Sequence, residues 1–299
     1  MSRLDSSWHM YYLYRLGGAL APHLTPTMIE ALASWLGNLL YRLDGRGTEN
    51  IRDNMRHVLG PAASAERIEA AVRGVHRNLL LNYLDLFRIP TLTPNSLRAR
   101  VLVEGMDIAL EALALGRGLV GGSAHFGNPD TVGQVFALQG YPVLAPAEHV
   151  RPEPMFNYLR RLRETFGNRY IPVDGPLTCL LRRLKEGGII ALALDRDPTG
   201  SGVVVDFFGA PARLPDGAVQ IALRTGAPLC VGLTYRLARP RGHYHIHIER
   251  VDLVRTGDRK GDVLAGVTQV ARVLERGIAQ APEQWVMTTP LWRIAETQP

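Results

Sequence analysis

The sequence predicts an α/β protein, a three-layer domain with a largely parallel central sheet and an N-terminal helical extension. Three observations carry this. Residues 1–90 place apolar side chains at the three-and-four spacing of amphipathic helices. From Val101 onward, short apolar runs alternate with helical stretches, the rhythm of parallel strands joined by crossover helices. Between Gly118 and Asp130, a strand, a glycine-rich turn and a capped helix follow directly on one another.

In the N-terminal region, Met28, Leu32, Trp35, Leu36, Leu39, Leu40 and Leu43 form one helical stripe. Ahead of it, Trp8, Tyr11, Tyr12 and Tyr14 cluster between Arg3 and Arg15. Aromatics beside arginines suit an interfacial helix lying on lipid headgroups; a helix packed on the core is the other reading. A further helix is expected from Ala65 to Phe87, and Pro90 and Pro94 close the helical region. Strands are then expected near 101–103, 118–122, 142–145, 170–173 and 188–194, with helices near 107–115, 129–139, 153–166 and 176–186. Two later strands, 228–237 and 243–251, are joined by Arg239-Pro240-Arg241-Gly242 in a hairpin-type connection, and a last helix covers about 262–280. Without a repeat or a linker, residues 1–299 read as one domain, with 1–90 helical and 101–299 the α/β core.

The run Gly121-Gly122-Ser123-Ala124-His125-Phe126-Gly127-Asn128-Pro129-Asp130 holds the chemistry. Asn128 suits the N-cap and Pro129 the first helical position, which leaves Asp130 in the first turn, where the helix dipole favours a carboxylate. His125 precedes it on the loop, so Asp130 is expected to take one ring nitrogen and leave the other as a base. A turn-capping histidine is the plainer reading. The spacing alone is weak, since His247 and Asp252 repeat it inside an expected strand.

Other clusters are weighed against plainer roles. Asp195-Arg196-Asp197 follows an apolar strand, where open α/β sheets bind ligands; a solvated turn with an internal ion pair is the alternative. Arg160 and Arg163, three apart on a helix, could hold a phosphate or donate to an oxyanion, or belong to a solvated basic face. His243, His245 and His247 alternate along one strand face, too spread for one metal ion, and read as a polar sheet face. Cys179 and Cys230 each lie in or beside an apolar run and are expected as buried free thiols.

His125-Phe126-Gly127-Asn128-Pro129-Asp130 resembles the His-x4-Asp/Glu block of the bacterial lipid A and phosphatidylinositol mannoside acyltransferases, which usually carry Trp where this chain has Pro129. The resemblance continues in the same order through Asp195-Arg196-Asp197, Val205-Asp206-Phe207-Phe208-Gly209-Ala210-Pro211-Ala212, Thr225-Gly226-Ala227-Pro228 and Ala281-Pro282-Glu283-Gln284-Trp285, and so spans nearly the whole chain. It implies a three-layer α/β fold and transfer of a fatty acyl group from acyl-CoA or acyl carrier protein to a lipid hydroxyl. In that scheme His125 is the base and Asp130 its partner, and Arg163, Arg160, Asp195, Asp197 and Asn128 meet substrate. The reaction needs no metal ion and no cofactor. The missing membrane span and the Asp in the motif tilt the acceptor toward a mannoside-type glycolipid. A hydrolase on the same scaffold and a non-catalytic lipid-binding protein are the rivals.

Composition narrows the partners. The formal charge is +6 and the pI about 9.6, almost all from arginine, since Lys185 and Lys260 are the only lysines. A basic surface suits anionic headgroups, a phosphorylated substrate or nucleic acid; no zinc-finger spacing or long basic run supports nucleic acid. There is no Walker loop and no complete Gly-x-Ser-x-Gly elbow, and the Phe-Pro-Glu-Gly element of glycerolipid acyltransferases is missing. With neither a signal peptide nor a run of some 18–20 apolar residues, the expectation is a peripheral protein on the cytoplasmic side of the plasma (inner) membrane.

Overall fold

Three helices of the N-terminal layer start on a side chain that satisfies a free amide. A computed structural model describes residues 3–176 and 178–292. In it α1 (Arg3–Leu20) is followed by α2 (Pro26–Leu43), α3 (Gly45–Leu59) and α4 (Ala65–Arg88). Thr25, Asp44 and Ser64 accept from the backbone of Met28, Gly47 and Arg67 and so cap α2, α3 and α4. Pro94, expected to end the helical region, opens a short helix instead, α5 (Pro94–Arg98), because Thr93 and Ser96 form a reciprocal capping box around it.

The α/β part runs β1 (Val101–Glu104), α6 (Met106–Ala114), β2 (Leu119–Ser123), α7 (Pro129–Leu138), β3 (Val143–Ala147), α8 (Glu153–Arg163), β4 (Arg169–Pro172), α9 (Thr178–Lys185) and β5 (Ile189–Ala193). A two-stranded hairpin, β6 (Val203–Phe207) with β7 (Ala210–Leu214), and α10 (Gly217–Thr225) come next; neither was expected. The chain then forms β8 (Leu229–Arg236), β9 (Tyr244–Val251) and α11 (Arg259–Ile278).

The sheet order is β1-β9-β8-β2-β5-β3-β4, parallel throughout except for the β8–β9 hairpin. Helices α6 and α7 cover one face, and α9, α10 and α11 the other. Alternation along the strands divides the core accordingly. Val120 and Ile190 face the α10–α11 side, whereas Leu119 and Ile189 face α6. The order places β2 at the centre, flanked by β5 and β8, so the loop after β2 meets the ends of both neighbours.

The apolar stripe of α2 is not its buried face. Trp35 is 65% exposed, and Met28, Leu39 and Leu43 are exposed with it. The buried side consists of Ile29, Ala33 and Gly37. Gly37 lets the helix approach α4 closely, since a Cβ there would lie 2.9 Å from the Arg77 amide nitrogen. The aromatic cluster of α1 divides in the same way. Tyr14 stacks edge-on against Tyr83 and Phe87 of α4, while Tyr12 is 64% exposed and Trp8, Leu16 and Leu20 share its outer side at four-residue intervals. The Arg3 side chain lies outside the described residues. Among the described residues no helix is long and apolar enough to cross a membrane.

Candidate active site

Adjacent parallel strands carry their registers past their ends. Ser123 of β2 is paired with Ala193 of β5, so two residues further along His125 stands beside Asp195. The His125 amide donates to Asp195 Oδ2 at 2.8 Å, and its ring Nδ1 lies 2.8 Å from Asp195 Oδ1. Trp285 adds a third bond, its indole Nε1 donating to Oδ2 at 2.8 Å. The Asp195 side chain is fully buried, while the His125 ring is 42% exposed and lines a cavity.

The electrostatics follow from that asymmetry. Burial works against ionisation of Asp195, but the adjacent imidazole and the three donors outweigh it and hold the carboxyl below its ordinary range. The Asp195 charge in turn raises His125 above an ordinary histidine, against the pull of burial and of Arg196. With Asp195 ionised, Nδ1 carries the proton, and Nε2 is left with a lone pair.

Asp130 is not the partner of the imidazole, and that expectation is corrected. Pro129 starts α7, and the first turn of that helix directs Asp130 at α8, where Arg163 Nε donates to it at 2.9 Å. Arg163 also stands over the Tyr170 ring, 5.7 Å from its centroid. Both Asp130 and Arg163 line the cavity. Sheet order decided this. The β5 terminus comes next to the β2 loop from some 70 residues away in sequence, whereas the nearer carboxylate is drawn off by an arginine.

The other site candidates separate. Asn128 caps α7, its Oδ1 accepting from Thr131 N at 3.1 Å, and it lines the cavity. Arg160 does not share the site face of Arg163: it approaches Glu164 at 4.0 Å, packs over Phe156 and is not a lining residue. Asp197 is taken up by its own loop, accepting from Thr199 N, Gly200 N and Gly202 N, and it too is absent from the lining. Arg196, paired with Glu148 at 2.9 Å, does line the cavity. Cys230 lies in the cavity wall, its thiol pushed up to about 11 by burial, while Cys179 is half-exposed rather than buried. His243 lies outside β9; His245 and His247 share the exposed Glu104 at 2.9 and 3.3 Å, a polar sheet face.

The loop itself is tightly tied. Val286 N donates to His125 O at 2.7 Å, and Gly127 N donates to Gln284 O at 2.9 Å. Gly127 has φ +58, and a Cβ there would lie 1.6 Å from Thr234 O, so only glycine fits. The amides of His125 and Gly127 are thus both bonded within the protein.

The cavity measures about 520 Å³. Along one face of β2 it runs from Ser123 past Gly121 to Leu119, a slot of roughly 13 Å at the usual strand rise. The same face of β5 contributes Ala191 and Ile189, and Phe136 of α7 covers the slot. The His125 ring thus borders a largely apolar slot whose wall also carries Asp130, Glu148, Arg163 and Arg196.

The family described as bacterial lipid A biosynthesis acyltransferase matches residues 2–294. The chain belongs to that family. It is therefore an acyltransferase. The chain is also 31% identical over 254 residues to a phosphatidylinositol mannoside acyltransferase of Mycobacterium tuberculosis (strain CDC 1551 / Oshkosh), covering 82% of this chain and 77% of that protein. A phosphatidylinositol mannoside acyltransferase of Mycolicibacterium smegmatis (strain ATCC 700084 / mc(2)155) is 30% identical over 284 residues, covering 93% of this chain and 90% of the relative.

Proposed function

We propose that the protein moves a long fatty acyl group from acyl-CoA or acyl carrier protein to a hydroxyl of a membrane glycolipid or lysophospholipid, with His125 as the general base. The observation that carries this is the Nδ1 contact to buried Asp195, which leaves Nε2 as the basic nitrogen of a ring bordering the apolar slot. The acyl chain lies in the slot with its thioester carbonyl at the mouth. Nε2 takes the proton as the acceptor oxygen attacks the carbonyl carbon. The tetrahedral adduct then collapses, and the departing thiolate recovers the proton from the imidazolium. Asp195 fixes the tautomer and stabilises the imidazolium. Asp130 acts through Arg163, holding the guanidinium at the cavity wall for an oxyanion or a polar headgroup. The names of the relatives favour a mannosylated acceptor.

No acyl-enzyme is required. Ser123 lines the cavity, but its hydroxyl donates to Ala124 O at 3.1 Å rather than to the base. Hydrolysis on the same scaffold is tested directly. The protein is incubated with palmitoyl-CoA, with and without a glycolipid extract, and the products are weighed by mass spectrometry. An acylated lipid formed only with acceptor supports transfer; free fatty acid at the same rate in both arms overturns it.

We also place the protein on the cytoplasmic face of the plasma membrane, peripherally held. The exposed apolar side chains of α1 and α2 and the net charge of +6 support this. Binding to anionic vesicles is expected to weaken in high salt and to fall further in Trp35→Glu with Leu39→Glu, whose side chains face solvent. Vesicle sedimentation at low salt with no bound protein contradicts it.

A further inference from the structure

We infer that the buried cluster of Asp85, Arg236 and Tyr244 positions the His125 loop for catalysis and is more than a brace between α4 and the sheet. The inference rests on His125 being the base. Asp85 projects from α4, and its Oδ2 takes donors from three places: the Arg236 guanidinium at the end of β8, the Tyr244 hydroxyl at the start of β9, and the Asn128 amide at 3.4 Å. Arg236 also donates to the Tyr244 hydroxyl at 3.0 Å and to Asn82 Oδ1 at 3.1 Å. All three members of the cluster are buried.

Two routes lead from this cluster to the loop. Through side chains, Asp85 holds Asn128, which caps α7 three residues after His125. Through the backbone, Arg236 N and O bind the two ends of the Gln284 side-chain amide at 2.7 and 3.0 Å, and Gln284 O receives Gly127 N. The next residue, Trp285, donates to Asp195. The cluster therefore stands one link from the loop that presents the base and two from the carboxylate that orients it.

Docking α4 does not by itself call for a buried charge pair. Apolar residues of similar volume hold helices as well or better, and α4 already buries Val72, Val75 and Leu81. Apolar groups cannot hold the Asn128 amide, whose nitrogen donates to Asp85. Burial also pushes the Tyr244 hydroxyl well above an ordinary tyrosine, so it remains a donor.

The test compares Tyr244→Phe, which keeps the ring and the ion pair, with Asp85→Asn. Glu69→Gln serves as control: it breaks the Arg52–Glu69 pair between α3 and α4, away from the loop. Acyl transfer from palmitoyl-CoA is followed across pH, with circular dichroism to measure the folded fraction. Tyr244→Phe should lower kcat by roughly ten- to a hundredfold, as a small misplacement of the base does. KM for the thioester should stay within about twofold, since ground-state binding is untouched. The acid limb should move to lower pH as His125 loosens from Asp195; the other groups that set its titration, Arg196 and Glu148, are unchanged. Glu69→Gln should leave kcat and the limb in place. A Tyr244→Phe protein with native kcat and native limb overturns the inference, whether or not Asp85→Asn folds. A rate loss that only tracks the folded fraction overturns it too. If His125→Ala is inactive and Tyr244→Phe normal, this inference fails alone; an active His125→Ala removes the reading beneath it.

Discussion

Two histidine–carboxylate contacts in this protein are nearly equal in length and opposite in surroundings. At the sheet centre His125 meets Asp195 at 2.8 Å; at the sheet edge His245 meets Glu104 at 2.9 Å, with His247 beside it. The Asp195 side chain is fully buried, whereas that of Glu104 is 57% exposed. Water competes for Glu104 and screens its charge, so the edge contact orients little. The buried Asp195 charge is answered, among the described residues, by the His125 ring, the His125 amide and Trp285. The centre contact also borders a largely apolar cavity. Distance alone does not distinguish the two contacts; the burial of the carboxylate and the adjoining cavity do.

Mutations at the two places sharpen the contrast. His125→Ala should lower acyl transfer by ~10²–10⁴ in a folded protein, the usual loss of a general base. Asp195→Asn should approach the same size, because an amide NH2 facing Nδ1 would force the proton onto Nε2, the wrong tautomer. Trp285→Phe removes one donor to Asp195 and leaves a buried carboxylate less satisfied, which costs about 1–3 kcal/mol by the usual penalty and shows as a lower melting temperature. Its rate should fall less than that of Asp195→Asn. His247→Ala, at the edge, should leave turnover within a few fold; a large loss there would erase the distinction between the two contacts.

The secondary structure of the catalytic layer was legible in the sequence because each element obeys a local rule. Apolar runs gave β2, β3 and β5 within a residue or two, and Asn128-Pro129 marked the start of α7. The β6–β7 hairpin and α10 were missed, since the stretch between Asp197 and Pro228 has mixed composition and no clean period. His125 was singled out, and its hydrogen-bond partner was not. Asp195 had been noted as a charged residue past a strand end, but its contact with His125 depends on β5 lying next to β2, which no local pattern reports. The stripe marked α2 as an amphipathic helix but not the face that packs on α4, since Gly37 and Ala33 make an inner face that carries almost no hydrophobic signal.

The pair also links acidity to stability and to rate with opposite signs. Because Asp195 raises the His125 pKa, the stability from the charged imidazole is fully present below about pH 6.5 and is lost as pH rises through the raised value. On the proposed mechanism activity needs the neutral ring and so grows over the same interval. The most direct measurement is the pH dependence of kcat/KM for the native protein, Asp195→Asn and Asp130→Asn. The account predicts an acid limb above 6.5 in the native protein, moved to lower pH in the residual activity of Asp195→Asn and unmoved in Asp130→Asn. A limb that shifts in Asp130→Asn and stays in place in Asp195→Asn would contradict it.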